Sequence, residues 1–352
     1  MEKYYIPFVI ALVATYILTP FVKRFAEKIG AIDVPKDNRR IHKKPIPLMG
    51  GLAIYISTVV SMLLFLPMDK TSIAIIAGGT IIVISGIIDD MKSLSPKLKL
   101  LAQIVAAIIL IWGDIKIEFI TNPFASTGMT YLKIFSIPVT IFWVVGITNT
   151  LNLIDGLDGL ASGVASIAAV SLLFVSSING FPTVMMMSAI LAGAALGFLP
   201  HNFNPAKIFM GDTGSLFLGY MLSVIAIEGV MKSVAAIAIA VPVLALGLPI
   251  FDTTFAIFRR FLNGRPIMEA DKGHLHHRLL DRGFTQKQTV LVLYVISMFL
   301  GTIAVLLADI ETDKGIIILG VVSVFILLGA SRLGLFDIDS LKKINQRKNA
   351  NN

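Results

Sequence analysis

Eleven apolar runs leave this chain few folds to choose from. They lie at about 4–22, 48–67, 72–88, 98–113, 135–151, 159–178, 183–200, 214–228, 233–258, 288–308 and 315–331. Most approach the ~20 residues with which a helix crosses about 30 Å of hydrocarbon. Of the 352 residues, 56% are hydrophobic and 15% charged, whereas soluble domains carry about 25% charged residues. A soluble enzyme with one anchor would not keep this hydropathy from end to end. The expected fold is therefore an all-α integral membrane protein, a polytopic bundle of about 11 transmembrane helices. The number falls to ten if 98–113, which Lys97 and Lys99 shorten, does not span.

Three segments depart from the plain pattern. The run at 233–258 is over-long and holds Pro242 and Pro249, so a kinked or broken helix is expected. Residues 115–135 mix β-branched and aromatic residues around an Asn-Pro and a Gly, the pattern of a short extracytoplasmic β-hairpin. The first run begins almost at Met1 after one acid and one lysine, and is read as a membrane span rather than a cleaved signal. Residues 1–335 are expected to form one transmembrane domain, with 336–352 a basic cytoplasmic tail. Cysteine is absent, which excludes disulfides and thiolate metal sites.

The net charge of +8 fits positive-inside flanks better than nucleic-acid binding, for which nothing else argues. With eleven spans, 24 of the 30 Lys and Arg fall on the side that holds 23–47, 89–99, 200–213, 259–287 and 332–352. That side is expected to be cytoplasmic, with the N-terminus outside and the C-terminus inside. Every polar cluster of note falls there too.

Four clusters carry the chemistry. In "NTLNLIDGLDGLA", Asn149, Asn152, Asp155 and Asp158 stand among leucines and glycines without a neighbouring base. An isolated charge at mid-bilayer costs roughly 3 kcal/mol, so these acids must sit at an edge or hold something positive. A helix cap explains Asp158 alone, not four polar groups. Asp89 and Asp90 are adjacent carboxylates, which repel unless a cation or proton lies between them; a solvated helix end is the plain alternative. Asn202, Asn204 and Asp212 lie in "HNFNPAKIFMGDTGSL", where Asp212 opens a helix and capping competes with phosphate or metal binding. His274, His276, His277 and Arg278 stand in "GHLHHRLLDRG", with spacing unlike a helix-borne zinc pair. Lys43 and Lys44, in "DVPKDNRRIHKKPIPLMGG", are explained by the positive-inside flank.

Together these segments resemble the polyprenyl-phosphate N-acetylhexosamine-1-phosphate transferase family, glycosyltransferase family 4, from about Asp33 to Arg282. His-Leu-His-His-Arg is similar to the branch that uses UDP-GlcNAc for teichoic acid, O-antigen or enterobacterial-type glycans. The peptidoglycan branch, which handles UDP-MurNAc-pentapeptide, tends to have three consecutive histidines there. The resemblance implies transfer of GlcNAc-1-phosphate from UDP-GlcNAc to undecaprenyl phosphate, with release of UMP, at the cytoplasmic face of a bacterial membrane. It implies Mg²⁺, with Mn²⁺ as a substitute, on Asp212 with Asp89 and Asp90. One of that pair would act on the lipid phosphate as base or orienting group. Asn152, Asp155 and Asp158 would serve the nucleotide side and help position the diphosphate, with Asn149 and Asn202 also binding substrate, and His274, His276, His277 and Arg278 would contact the sugar and its phosphate. Lys43 or Lys44 would screen phosphate charge.

Other classes fit less well. A transporter places its acids near mid-span, whereas these lie at one face. A CDP-alcohol phosphotransferase needs an Arg soon after its first Asp-Gly, and "DGLDGLASG" has none. A scaffold explains no acidic cluster. Nothing in the sequence excludes a homodimer.

Overall fold

Apolar runs become helices here because only a helix satisfies its own backbone away from water. A computed structural model describes residues 2–35, 44–121, 129–229, 238–262, 264 and 273–332. The chain is mostly helical, and among the described residues seven helices are long and apolar enough to cross a bilayer. Six of them are α1 (Glu2–Ile29), α3 (Lys70–Lys92), α5 (Ser136–Leu153), α6 (Leu160–Ile178), α7 (Pro182–Asn202) and α12 (Gln286–Ala308); α13 (Thr312–Arg332) is the seventh. Between these lie α2 (Gly51–Phe65), α4 (Pro96–Trp112) and α8 (Gly211–Gly229), which are shorter or less apolar. The proline-bearing run is broken, as its composition predicts, into α9 (Ala240–Ala245) and α10 (Gly247–Leu262); α11 (Leu275–Asp281) follows. The tail at 336–352 lies outside the described residues.

Helix α8 is the axis of the bundle. It is buried without a break from Thr213 to Ile227, as expected of a helix apolar on all sides. It packs on α3 and α5, with α2, α6 and α7 completing its surround. Caps set several helix starts. Asp69 accepts from Ser72 N at 2.8 Å before α3, and Thr285 with Gln288 forms a reciprocal capping box on α12, each satisfying a donor that the first turn leaves orphaned.

One cap acts in mid-helix. Pro20 has no N–H for the carbonyl of Tyr16 in α1, and His201 of α7 lies at that oxygen, Nε2 to O 3.1 Å. A carbonyl only accepts, so Nε2 is the donor, and the two helices are joined at the defect.

Two small antiparallel ladders complete the fold. β1 (Ile32–Asp33) pairs with β2 (Ile46–Pro47), and β3 (Phe119–Thr121) pairs with β4 (Met129–Tyr131) within the segment expected to be a hairpin. The β1–β2 ladder was not anticipated from sequence: two residues per strand are too few to show an alternating pattern. It matters because it delivers Asp33 to the site and extends β2 toward the start of α8. Phe209 N donates to Pro47 O at 2.8 Å, while Gly50 N and Gly51 N donate to Phe209 O and Met210 O, each at 2.9 Å.

Candidate active site

The start of α8 is held from two sides. Backbone bonds tie Phe209 and Met210 to 47–51 on one flank, and Asp90 of α3 receives the first turn on the other. Asp90 Oδ1 accepts from Asp212 N at 2.8 Å, and Oδ2 accepts from Thr213 Oγ1 at 2.6 Å and Thr213 N at 3.3 Å. A carboxylate here meets both orphan donors and the positive end of the helix. Gly211 stands at φ +70, and a Cβ there would overlap the Asp90 carboxylate, so this position needs glycine on both counts.

That anchoring brings Asp212 close to the α3 acids. Asp89, Asp90 and Asp212 each offer an oxygen, and the three lie within 4.8 Å of one another. Lys99 of α4 sits between two of them, its Nζ 2.8 Å from Asp89 Oδ2 and 2.6 Å from Asp212 Oδ2. Asn152 at the end of α5 donates to Asp212 Oδ1 at 3.0 Å and to Ser215 Oγ at 2.8 Å. Asp212 is thereby oriented from three elements. The donor set is all hard oxygen, and an ammonium already bridges two of the carboxylates, so the residues fit a small divalent cation.

The triad opens on a cavity of about 630 Å³. Its wall holds Asp89, Asp90, Asn152, Asp155, Asp158 and Asp212, with Asn202 and His277 also in the lining. Segments far apart in sequence thus meet in one place. Asp155 lines this cavity in the Asp-Gly loop. Its carboxyl is pushed up to about 8, first by desolvation and then by the negative charge of Asp212, Asp90 and Asp158. Asp158 Oδ2 accepts from Asn204 Nδ2 at 2.9 Å and from Ala206 N at 3.0 Å. Asn202 is buried, with Oδ1 accepting from Gly159 N and Nδ2 donating to Ile208 O, both at 3.0 Å. It joins the Asp-Gly loop to the strand of chain that leads into α8.

Other expected site residues stand elsewhere. Asn149 is absent from the cavity wall; its side chain pairs with Gln103 of α4, Nδ2 to Oε1 2.6 Å. His274 and His276 are buried, and only His277 of the three histidines reaches the cavity. Burial and then the neighbouring His277 hold His276 down at about 3, so it is neutral. Arg278 Nε donates to Gly273 O at 3.1 Å, which ties it to its own loop. Lys44 is exposed and Lys43 lies outside the described residues.

Sequence reasoning passed over Lys99, Gln286 and Asp252. Gln286 lines the cavity, and its Oε1 accepts from Asn204 Nδ2 at 2.8 Å. Lys99 reads in sequence as a charge that shortens the run at 98–113, and no pattern singles out Gln286. Asp252 did carry a signal, an acid inside an apolar run.

Comparison with known proteins points to one family. A family model described as Glycosyl transferase family 4 matches residues 72–230, the stretch from α3 to α8. The chain is 42% identical over 336 residues to a probable undecaprenyl-phosphate N-acetylglucosaminyl 1-phosphate transferase of Bacillus subtilis, covering 95% of this chain and 93% of the relative. It is 36% identical to a decaprenyl-phosphate N-acetylglucosaminephosphotransferase of Mycolicibacterium smegmatis, over 81% of this chain and 77% of the relative. A phospho-N-acetylmuramoyl-pentapeptide-transferase of Caldanaerobacter subterraneus is 30% identical, over 83% of this chain and 93% of the relative. With the acidic triad lying inside the matched stretch, the chain belongs to glycosyl transferase family 4.

Proposed function

We propose that this protein transfers GlcNAc-1-phosphate from UDP-GlcNAc to undecaprenyl phosphate, yielding undecaprenyl-diphospho-GlcNAc and UMP as the first membrane step of a cell-envelope glycan. The observation that carries the reading is the convergence of Asp89, Asp90 and Asp212 within 4.8 Å at a polar cavity. The relatives at 42 and 36% identity are named for N-acetylglucosamine transfer, and the one at 30% for the muramoyl-pentapeptide, which supports GlcNAc over MurNAc-pentapeptide.

Two anions must meet in this reaction. A lipid phosphate oxygen attacks the sugar-proximal phosphorus, one P–O bond forms, and the P–O bond to UMP breaks. A phosphate monoester with pKa near 6 is largely ionised at pH 7, so positioning and charge stabilisation dominate over proton transfer. Mg²⁺, or Mn²⁺ in its place, would be held by Asp89, Asp90 and Asp212 and would supply charge neutralisation of the diphosphate. Lys99 adds a fixed positive charge between Asp89 and Asp212. Asn152 orients Asp212, Asp90 holds the first turn of α8, and Asp155 with Asp158 and Asn202 shapes the nucleotide side. His277 serves the donor sugar and its phosphate.

In the same reading residues 1–335 form one domain of eleven spans, with the N-terminus outside, the β3–β4 segment on the outer face and the C-terminus inside. The cavity then faces the cytoplasm, where the UDP-sugar is made available, and the basic segment at 336–352 lies beside the anionic leaflet. The decisive assay uses purified protein with Mg²⁺, undecaprenyl phosphate and a panel of UDP-sugars, and measures UMP. Release with UDP-MurNAc-pentapeptide but not UDP-GlcNAc overturns the sugar assignment; ion uptake into liposomes without UMP release overturns the reaction.

A further inference from the structure

Asp252 is a carboxylate inside the proline-broken apolar run, 5% exposed, on α10. A buried carboxylate is tolerated only with partners that favour its charge, and Asp252 has two among the described residues. Its Oδ2 lies 2.9 Å from His274 Nδ1, and its Oδ1 accepts from Leu275 N at 2.7 Å. A carboxylate has no proton to give when ionised, so the ring nitrogen facing it is Nδ1–H. The bond therefore sets the tautomer of His274 and leaves Nε2 as the second, separate nitrogen.

The histidines continue from that anchor in a column. The rings of His274 and His276 are parallel to within 7°, with centroids 5.9 Å apart. His276 and His277 follow at 4.2 Å and 42°. His277 is the member that lines the cavity. Midway, His276 Nε2 is buried without a hydrogen-bond partner among the described residues. It points at the Asp-Gly loop, 2.7 Å from where a Cβ on Gly156 would stand. Arg259, further along α10, packs against Gly273 just before the column begins. So α10 grips the entry to α11 twice, and the column carries that grip to the cavity wall.

We propose that Asp252 is a positioning residue for the donor side of the site: through His274 Nδ1 and Leu275 N–H it fixes the start of α11, and through the His274–His276–His277 column it fixes where His277 enters the cavity. The inference rests on the transferase reading above for its kinetic consequence, but its chemical core, the Nδ1–H tautomer of His274, stands without any substrate.

Asp252→Asn separates positioning from simple packing, because it keeps the volume yet offers one acceptor and one donor where two acceptors are needed. In protein labelled with ¹⁵N-histidine, the His274 resonance, assigned by its loss in His274→Gln, should report Nδ1–H in the unsubstituted chain. Asp252→Asn should move the proton to Nε2. It should also lower kcat/KM for the UDP-sugar by about tenfold or more, with KM for the lipid phosphate unchanged. A His274 protonated only on Nε2 in the unsubstituted chain overturns the proposal, as does a donor kcat/KM within about twofold of normal in Asp252→Asn. Should Asp252→Asn fail to accumulate in membranes, His274→Gln serves instead, since its amide can still donate to Asp252 but removes the first ring of the column; unchanged donor kinetics there overturn the proposal too. Absence of UMP release by the unsubstituted chain would sink the transferase reading while leaving the tautomer measurement intact.

Discussion

Asp155 has its carboxyl pushed up to about 8 because it is desolvated and faces the charges of Asp212, Asp90 and Asp158. Ionising it adds one more negative charge to the cavity that holds Asp89, Asp90 and Asp212. With its proton affinity raised to about 8, Mg²⁺ should bind more tightly as pH climbs from about 7 to about 9, because the cation competes with that proton. The gain is at most about tenfold per pH unit below the pKa, and Asp155→Asn should flatten it; Mn²⁺ titration followed by electron paramagnetic resonance reads both. Asp212→Asn should weaken Mn²⁺ binding about tenfold and cut UMP release about 100-fold or more, and unchanged turnover would remove Asp212 from the metal assignment. Acids stranded among leucines were legible as a site because an apolar sequence has no structural use for them. Lys99 was not, since a lysine near a helix end reads the same whether it flanks a membrane or bridges two aspartates.

At the scale of elements, the site is a set of helix ends held at fixed offsets by backbone and glycine. Asn149, Asn152 and Asp155 repeat every three residues, and that spacing puts Asn149 and Asn152 on one face of α5. It does not reveal depth: each three-residue step rises about 4.5 Å along a helix. Asn149 therefore lies deeper and meets Gln103, while Asn152 reaches Asp212 and Asp155 the cavity wall. Gly156 is the contact between the Asp-Gly loop and the histidine column. Gly156→Ala would place a methyl 2.7 Å from His276 Nε2, a collision that must push loop or column aside. Donor kcat/KM should fall several-fold to about tenfold with the protein still folded, an effect of misplacement rather than lost chemistry. Gly156→Ser, which adds still more bulk toward His276, should lower it further; donor kinetics within about twofold of normal in both variants would mean that the glycine does not set the contact.

For the whole molecule, the charge count and the cavity can be compared directly. The two segments richest in Lys and Arg, 23–47 and 259–287, supply Asp33 and His277 to the cavity wall, as expected if the site faces the cytoplasm. The chain has no cysteine, so single cysteines can be introduced on a silent background. In intact cells, Lys314→Cys should react with a membrane-impermeant maleimide and Lys44→Cys should react only after permeabilisation. The reverse pattern would invert the proposed topology. α13 leaves most of its surface outside the bundle, so its truncation should leave the protein in the membrane and Mn²⁺ binding at the cavity unchanged.

Membrane residence, helical class and several of the segments whose polar residues line the cavity were legible in the sequence itself. Run length against hydrocarbon thickness and the scarcity of charge admit no other reading. Only the tertiary structure decided which polar residues meet. That Asp90 receives the first turn of α8, that Lys99 lies between Asp89 and Asp212, and that Asp252 anchors the histidines all depend on helices distant in sequence packing at particular depth and rotation. Hydrophobic periodicity reports which residues prefer lipid or protein, but an apolar helix can rotate or slide against its neighbours without changing that pattern. Directional hydrogen bonds and close backbone approaches, at Gly211 and Gly156 above all, remove the remaining freedom.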